Sequence, residues 1–382
     1  MTELGILDLV PIRAGGTARE ALENAADLAR SAEQSGYRRY WLAEHHFASL
    51  ASSAPAVVAA HVLSATSTIR VGAGAVQLSQ RVAARVAEEW GTLATLHPGR
   101  VDLGLGRSSG RADQYREALT RTPTPAVVPV ADHPVVDGVV LPKPRDLREL
   151  VDSARIKTGL AVITPPGDVP DYATQVREIL ALLAGRFTPE GLDSPLHLTP
   201  GEGSDLLPWI LGNSPGASAQ LAGRLGLPFV ANYHLAPGHT VQTVAAYREA
   251  FEPGVLDTPY LVVSADVLAA ESSGDAHRLA RSFLPWLDSV SRGVGAIEIP
   301  DADDVAASEV ERLTARHSAR VATRFVGDPD DVVGRLAALA ALTEADELIL
   351  TTLTHRHDDR VRSHRLIADA WRDRTPKAEK IR

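Results

Sequence analysis

The chain has 382 residues, 45% apolar and 23% charged, with 39 Lys and Arg against 48 Asp and Glu for a formal net charge of −9. This composition supports a sizeable core and excludes wholesale disorder; the acidic balance, with no run of five or more basic residues, argues against nucleic acid or an anionic membrane as partner. Cysteine is absent, which excludes disulfides, thiolate nucleophiles and cysteine-ligated zinc or iron–sulfur clusters.

The N-terminal stretch Met1–Leu7 carries no cationic leader before its apolar run, so no signal peptide is expected. No stretch reaches the roughly 18 consecutive apolar residues of a membrane span, and the cytoplasm is the default location.

The apolar run 4–10 reads as a strand buried on both faces. Thr17, with Glu20 three residues on, has capping-box spacing, and the apolar residues from Ala21 to Ala32 recur at helical intervals until Gly36 ends the helix. The pattern repeats with strand 37–46, a helix opened by Pro55, strand 69–78, helix 82–96 and strand 100–110. Residues 123–170 break the rhythm. They are rich in proline and read as an irregular insertion after strand four, containing an extended segment at "VVDGVVLPKP". Alternation then resumes with helix 172–185, strand 206–212, helix 216–226, strand 227–235, helix 240–251 and strand 259–270. A long polar, helical excursion spans 275–343, before a last strand at 345–353 and a last helix.

About eight strands alternating with helices by short, right-handed connections define a (β/α)8 TIM barrel with an insertion after strand four, over one domain spanning 1–382. A doubly wound sheet meets the same local pattern, but the count favours the barrel.

Active sites of barrels lie at the carboxyl ends of strands. Strand two ends in Glu44-His45-His46. Adjacent residues of an extended chain point to opposite sides, so one histidine faces the mouth, where it can hold or move a proton; the competing reading is two packed polar residues. Gly74 and Ala75 end strand three, where small residues admit a flat ring or simply pack tightly. The loop "GLGRSSG" places Arg107 and Ser109 at the end of strand four, a combination suited to an oxyanion. Asn213 and Ser214 precede a helix beginning near Pro215, with Ser218 in its first turn, where free amides and the helix dipole favour an anion or a plain N-cap. His355, His357 and His364 lie among charges and read as a solvated face, so no metal site is expected. A Walker loop and a Gly-x-Gly-x-x-Gly unit are absent.

Taken together and in order, "GYRRYWLAEHHFASLASSAP", "IRVGAGAVQLS", "VAEEWGTLATLHPGRVDLGLGRSSG" and "ILGNSPGASAQLAGRLGLPF" resemble the luciferase-like flavin-dependent monooxygenases. The similarity is strong over 4–110 and 206–235 and looser towards the C-terminus. The resemblance implies a barrel, often dimeric, with FMN across the carboxyl ends of its strands. It places His45 beside the reactive edge of the flavin and an often cis peptide at Gly74-Ala75 against the ring. Arg107 and Ser109 match one side of the phosphate site, and Ser214 and Ser218, with Asn213 before them, the other. The chemistry implied is oxygenation of a small organic substrate by reduced FMN and O2 through a C4a-peroxyflavin. A separate reductase supplies the reduced flavin, and His45 hydrogen-bonds the peroxide.

Members commonly carry an Asn-His pair and a proline before the helix that follows strand three; this chain has Gln80–Arg85 instead. Its 123–170 insertion is longer than in compact members, and is expected to cover the mouth and set substrate choice. Two alternatives stand beside this reading. One is a deazaflavin (F420)-dependent dehydrogenase on the same barrel, and the other a non-catalytic flavin-binding subunit.

Overall fold

A computed structural model describes residues 2–107, 134–143, 153–167 and 170–374. The first half of the barrel runs β1 (Glu3–Asp8), α1 (Ala18–Gln34), β2 (Arg39–Leu42), α2 (Pro55–Ala65), β3 (Arg70–Gln77), α3 (Ala83–Leu96) and β4 (Val101–Gly106). A small hairpin, β5 (Val135–Val136) and β6 (Val139–Val140), and helix α4 (Ala154–Ile163) belong to the insertion. Then come α5 (Tyr172–Leu183), β7 (Leu207–Gly212), α6 (Ala217–Arg224), β8 (Phe229–Ala231), α7 (Thr240–Glu249) and β9 (Leu261–Ala269). The C-terminal part holds α8 (Ser273–Leu279), α9 (Phe283–Ser291), α10 (Ala307–Arg316), α11 (Ser318–Ala322), β10 (Phe325–Gly327), α12 (Pro329–Thr343), β11 (Glu347–Thr351) and α13 (His357–Asp373).

Strands β1-β2-β3-β4-β7-β8-β9-β11 pair in parallel, and β11 returns to β1, closing a ring of 8 strands. This is the (β/α)8 barrel. β10 is an outlier that pairs only with the far end of β9, Phe325 opposite Val267.

Alternation along each strand sorts the side chains into two cores. Ile6, Tyr40, Leu42, Leu103, Ile210, Phe229, Leu348 and Leu350 face the helices, while Leu7, Trp41, Trp209, Val230, Val262 and Ile349 fill the barrel interior. The interior is floored by a buried ion network at the amino ends of the strands. Arg39 donates to Glu347 at 2.7 and 2.9 Å and to Asp102 at 2.6 Å, and its guanidinium lies 4.4 Å from the Trp209 ring centre. Arg70 and the Trp41 indole serve the remaining lone pairs of Asp102 at 2.7–3.0 Å. Above this floor, β3 and β4 have no room for side chains. A Cβ on Gly72 would lie 2.5 Å from the Asp102 carbonyl oxygen, and one on Gly74 2.8 Å from Leu7 Cδ1 and 3.1 Å from the Trp41 ring.

Local signals act as read, with one difference. Thr17 caps α1 by accepting from the Glu20 amide at 3.1 Å, but the Glu20 carboxylate pairs with Arg13 at 2.8 Å rather than completing the box. In the insertion, Asp137 and Gly138 turn the β5–β6 hairpin with positive φ at both positions (49° and 83°). Helix α4 occupies sequence read as irregular. It buries none of its residues, and its short apolar stripe, Ile156, Leu160 and Ile163, is only half-buried and does not stand out among the prolines that flank it. The 275–343 excursion is helical as read, except for β10 and the stretch between α9 and α10.

Parts of the insertion are fastened around the rim. Tyr233, after β8, donates to the Val140 carbonyl at 2.8 Å, and Val139 is fully buried. Arg155 of α4 donates to the Phe47 carbonyl, beyond β2, at 2.8 Å, and Ser153 to that of Gly293 at 2.7 Å. No described helix is long and apolar enough to cross a membrane.

Candidate active site

The ends of β2 and β3 are locked by Glu44. Its buried carboxylate accepts the Gln77 amide at 2.9 Å and Arg81 Nη2 at 3.0 Å, and bonds His46 Nε2 at 2.9 Å. Burial pushes this carboxyl up, but His46, Arg81 and the Gln77 amide together hold it below the usual carboxylate range. The departure at Gln80–Arg85 therefore contributes a structural cation, Arg81, to the strand ends. Glu44 and His46 share one side, leaving His45 on the other. The His45 Nδ1 atom is buried and has no hydrogen-bond partner among the described residues. Burial, and then the proximity of His46, lower its pKa to about 4, so the ring is neutral at pH 7.

A second histidine, passed over in the sequence, joins it. His234 follows β8, is buried, and shares a hydrogen bond with Ser264 Oγ of β9. Its pKa falls to about 3 through burial first, then Arg320 and His45. The signal for His234 was the one applied to His45: a histidine at the carboxyl end of a strand.

Between them, the Gly74–Ala75 peptide is cis, and both residues are partly exposed. Here the β3–β4 register shifts between Ala73 and Val76. The missing Gly74 side chain makes room for Leu7 and Trp41, so tight packing accounts for the glycine itself.

One strand further on, Arg107 is exposed at the end of β4. Gly106 is opposite Leu211 in β7, so the register carries Arg107 alongside Gly212. Asn213 accepts from Asn232 Nδ2 at 2.7 Å, tying the ends of β7 and β8. Helix α6 starts at Ala217 rather than Pro215; its N-cap, Gly216, gives no side-chain cap, so the first-turn amides are left to other acceptors. Ser218 lies in that turn with its Cβ against Gly212, and Ser214 Oγ lies beside Gly216. Arg107, Asn213, Ser214 and Ser218 thus come together at the β4–β7 edge of the mouth. Ser109 lies outside the described residues.

The opposite edge is built from the C-terminal excursion. Asp266, at the mouth end of β9, accepts Arg324 Nε at 2.9 Å, with Arg320 Nη2 3.8 Å away. The Arg324 guanidinium lies 3.8 Å from the Phe283 ring centre, and Phe283 and Trp286 of α9 join the barrel-interior cluster.

Among the described residues no group of His, Asp or Glu is poised to hold a metal. The three late histidines are not a solvated face. His364 is buried beneath the Tyr37 ring, His357 bonds Asp27 at 2.8 Å, and His355 bonds the Ile299 carbonyl at 2.9 Å, because α13 turns this side towards α1 and β9. A cavity of about 540 Å³ opens on the opposite face, lined by Glu3, Glu33, Arg38 and Trp371. Its charges are already engaged, Arg38 with Glu3 and Glu33 with the amides of residues 67–69.

Closed barrel, strand-end histidines and a polar edge with an uncapped helix put the candidate site at the carboxyl-end mouth of the barrel. The luciferase-like monooxygenase family matches residues 2–129 and 144–345, and the chain belongs to that family. It is 37% identical over 376 residues to the uncharacterized protein YvbT of Bacillus subtilis strain 168, covering 98% of each chain. It is 34% identical over 368 residues to a luciferase-like monooxygenase of Escherichia coli strain K12, covering 95% of each. Among solved structures, apo-MsnO8 superposes with a TM-score of 0.75 at 29% identity, covering 98% of this chain and 99% of that one. The fold alone is shared, at 18% and 13% identity, with the FMN complex of the oxygenating constituent of 3,6-diketocamphane monooxygenase (TM-score 0.63) and with an F420-dependent secondary alcohol dehydrogenase (TM-score 0.61). In each pairing 97% of this chain is covered, with 97% of the first structure and 99% of the second.

Proposed function

We propose that the chain oxygenates a small organic substrate with reduced FMN and O2, the flavin arriving from a separate reductase. The observation that carries this reading is the buried, unpartnered Nδ1 of a neutral His45, one strand away from the partly exposed Gly74–Ala75 peptide. A neutral imidazole can donate from one nitrogen and accept at the other. The residues fit a flavin mononucleotide. Arg107, Asn213, Ser214 and Ser218, with the free amides of α6, offer donors for a phosphate, and Ser109 is proposed to join them. The Gly74–Ala75 backbone offers a side-chain-poor wall for the ring, and His45 offers its edge a hydrogen bond.

When bound, reduced FMN supplies the electrons that activate O2. The chain's part is to hold the ring, place His45 against the reacting oxygen and keep water out. The insertion is proposed to act as the cover, since its hairpin is fastened to Tyr233 and its helix to Phe47 across the mouth. We further propose a cytoplasmic homodimer. Val57, Val82 and Leu96 are single exposed apolar residues, the last two separated along α3 by the exposed Arg85–Glu88 pair, and sedimentation decides the mass.

The test is to mix photoreduced FMN and protein without oxygen, then add O2 and follow flavin reoxidation. Reoxidation should be at least tenfold slower than for free reduced FMN, and H45A should restore most of the free rate. Reoxidation unchanged by the protein, with FMN demonstrably bound, favours a non-catalytic flavin carrier. Binding of F420 with no affinity for FMN favours the dehydrogenase.

A further inference from the structure

The edge of the mouth formed by β9, β11 and α9 carries a set of buried donors with nothing to serve. Arg324 Nη2, Trp286 Nε1, Thr351 Oγ1 and Ser282 Oγ have no hydrogen-bond partner among the described residues, and the four residues are each at most 9% exposed. They belong to one neighbourhood. Asp266 holds Arg324 through Nε and is paired in register with Thr351. Arg324 stacks on Phe283, whose ring centre is 5.6 Å from that of Trp286. Ser282 precedes Trp286 by one helical turn, on the same face of the helix.

Buried polar groups in folded proteins are hydrogen-bonded, and each one left over calls for an explanation. The chemistry of the set supplies one. A guanidinium nitrogen and an indole nitrogen donate only, and the two hydroxyls can turn to donate. Asp266 is committed to Arg324 Nε, so the outward nitrogen is left to a guest. Donors without acceptors, one of them cationic and in a dry place, form a receptor for an anion. The surroundings set its type. Leu9, Leu211, Leu353 and Phe283 belong to the same interior cluster, so the remainder of the guest is apolar.

We propose that this edge binds the carboxylate of the substrate, which is a small organic acid with an apolar body. The inference rests on the proposed monooxygenase reading for the word substrate, and gives that reading its substrate class. The phosphate of the cofactor is not the guest. Around the ring, β11 lies diametrically opposite β4, with β7, β8 and β9 on one path and β3, β2 and β1 on the other.

Hexanoate and its neutral counterpart hexanamide are the probes, titrated calorimetrically into the protein with and without FMN. Wild-type protein should bind hexanoate at least tenfold more tightly than hexanamide. R324Q should abolish that preference while FMN affinity, read by flavin fluorescence, stays the same. Because R324Q also removes a partner from Asp266, W286F and T351V form a second arm that keeps the ion pair whole. Each should weaken hexanoate several-fold and leave hexanamide unchanged. Equal affinity of the wild type for both probes, no binding of hexanoate, or a preference that survives W286F and T351V together overturns the proposal. A preference for hexanoate in protein that takes up no FMN upholds the anion site and removes the flavin reading.

Discussion

Mild acid should unfold this protein through its buried histidines, before its carboxylates titrate. His45 is held at about 4, and His234 and His364 at about 3, each through burial first. In the unfolded chain a histidine titrates near 6.5. Between pH 6.5 and the folded values, the unfolded chain therefore binds protons that the native protein refuses. Stability from these groups is complete above pH 6.5 and drains as pH falls towards the folded pKa values. From pH 6.5 to 5 each fully buried histidine costs about 2 kcal/mol, at about 1.4 kcal/mol per unit. His234 and His364 count in full and the partly exposed His45 counts less, for a total of about 4–6 kcal/mol. That is a large part of an ordinary domain's ~5–15 kcal/mol. His97, His239 and His357 are also lowered, mainly by burial, and steepen the slope, whereas Glu347, Glu178 and Asp359, raised by burial, act against it. Glu33, held near 2 where four donors from residues 67–69 outweigh burial, adds nothing until pH drops below its ordinary value of 4.5. Urea unfolding followed by tryptophan fluorescence at pH 7, 6, 5.5 and 5 measures the slope, expected at two to three protons. H234Q should remove one of them. A slope of one proton or less over this window refutes the argument.

Three further outcomes follow from the site and the barrel. Arg107→Ala and Ser218→Ala should each weaken FMN by about tenfold or more, as loss of a charge-assisted hydrogen bond does, and leave riboflavin, which lacks the phosphate, unchanged; equal losses for both ligands would remove the phosphate assignment. Gly104→Ala should cost about 3 kcal/mol or prevent folding, because its Cβ meets the Ala73 carbonyl and comes within 3.0 Å of Leu211 Cδ1, and backbone cannot give way as a side chain can; a wild-type melting temperature would contradict this. Arg39→Met should cost about 3–5 kcal/mol by stranding Glu347 and leaving Asp102 to Arg70 and the Trp41 indole, seen as a lower urea midpoint, with FMN affinity intact because the network lies at the other end of the strands.

What the sequence revealed was mostly what local periodicity encodes. The ring strands announce themselves as short apolar runs between helical stripes, because both their faces are buried. Their ends run long in that reading. Leu9 and Val10 continue the apolar run of β1, yet Val10 turns at a φ of 51°, held by its amide on Asp8 at 2.8 Å. β10 was illegible for the opposite reason. Three residues carry no period, and Phe325–Gly327 is a strand only because β9 extends far enough to pair with it. The candidate site was half legible. His45, Gly74 and Arg107 end strands that are adjacent in sequence and in the ring. His234 and Arg324 come from elements whose neighbours are set by closure of the barrel, and no spacing rule reports that Arg324 meets Asp266 58 residues away. His364 was misread because charge around a residue marks one face of a helix, while the opposite face of α13 is packed.

The mouth works as a division between two kinds of donor. At the β4–β7 edge the donors are backbone amides and an exposed arginine, groups that water reaches and a mobile phosphate can enter. At the β9–β11 edge they are side chains fixed by packing, with Arg324 clamped between Asp266 and Phe283. Such a clamp selects shape and charge because none of its atoms can turn away to water. The two edges can be this different because the interior between them needs no polar group. Trp41, Trp209, Leu7 and Leu211 fill it, and the glycines of β3 and β4 yield the space those side chains occupy. The ionic floor of Arg39, Asp102 and Glu347 closes the amino end of the strands. Among the described residues, Arg324 Nη2, Thr351 Oγ1 and His45 Nδ1 lack a partner towards the mouth, where the two neutral histidines stand between the edges, while the Trp209 indole nitrogen lacks one nearer the floor.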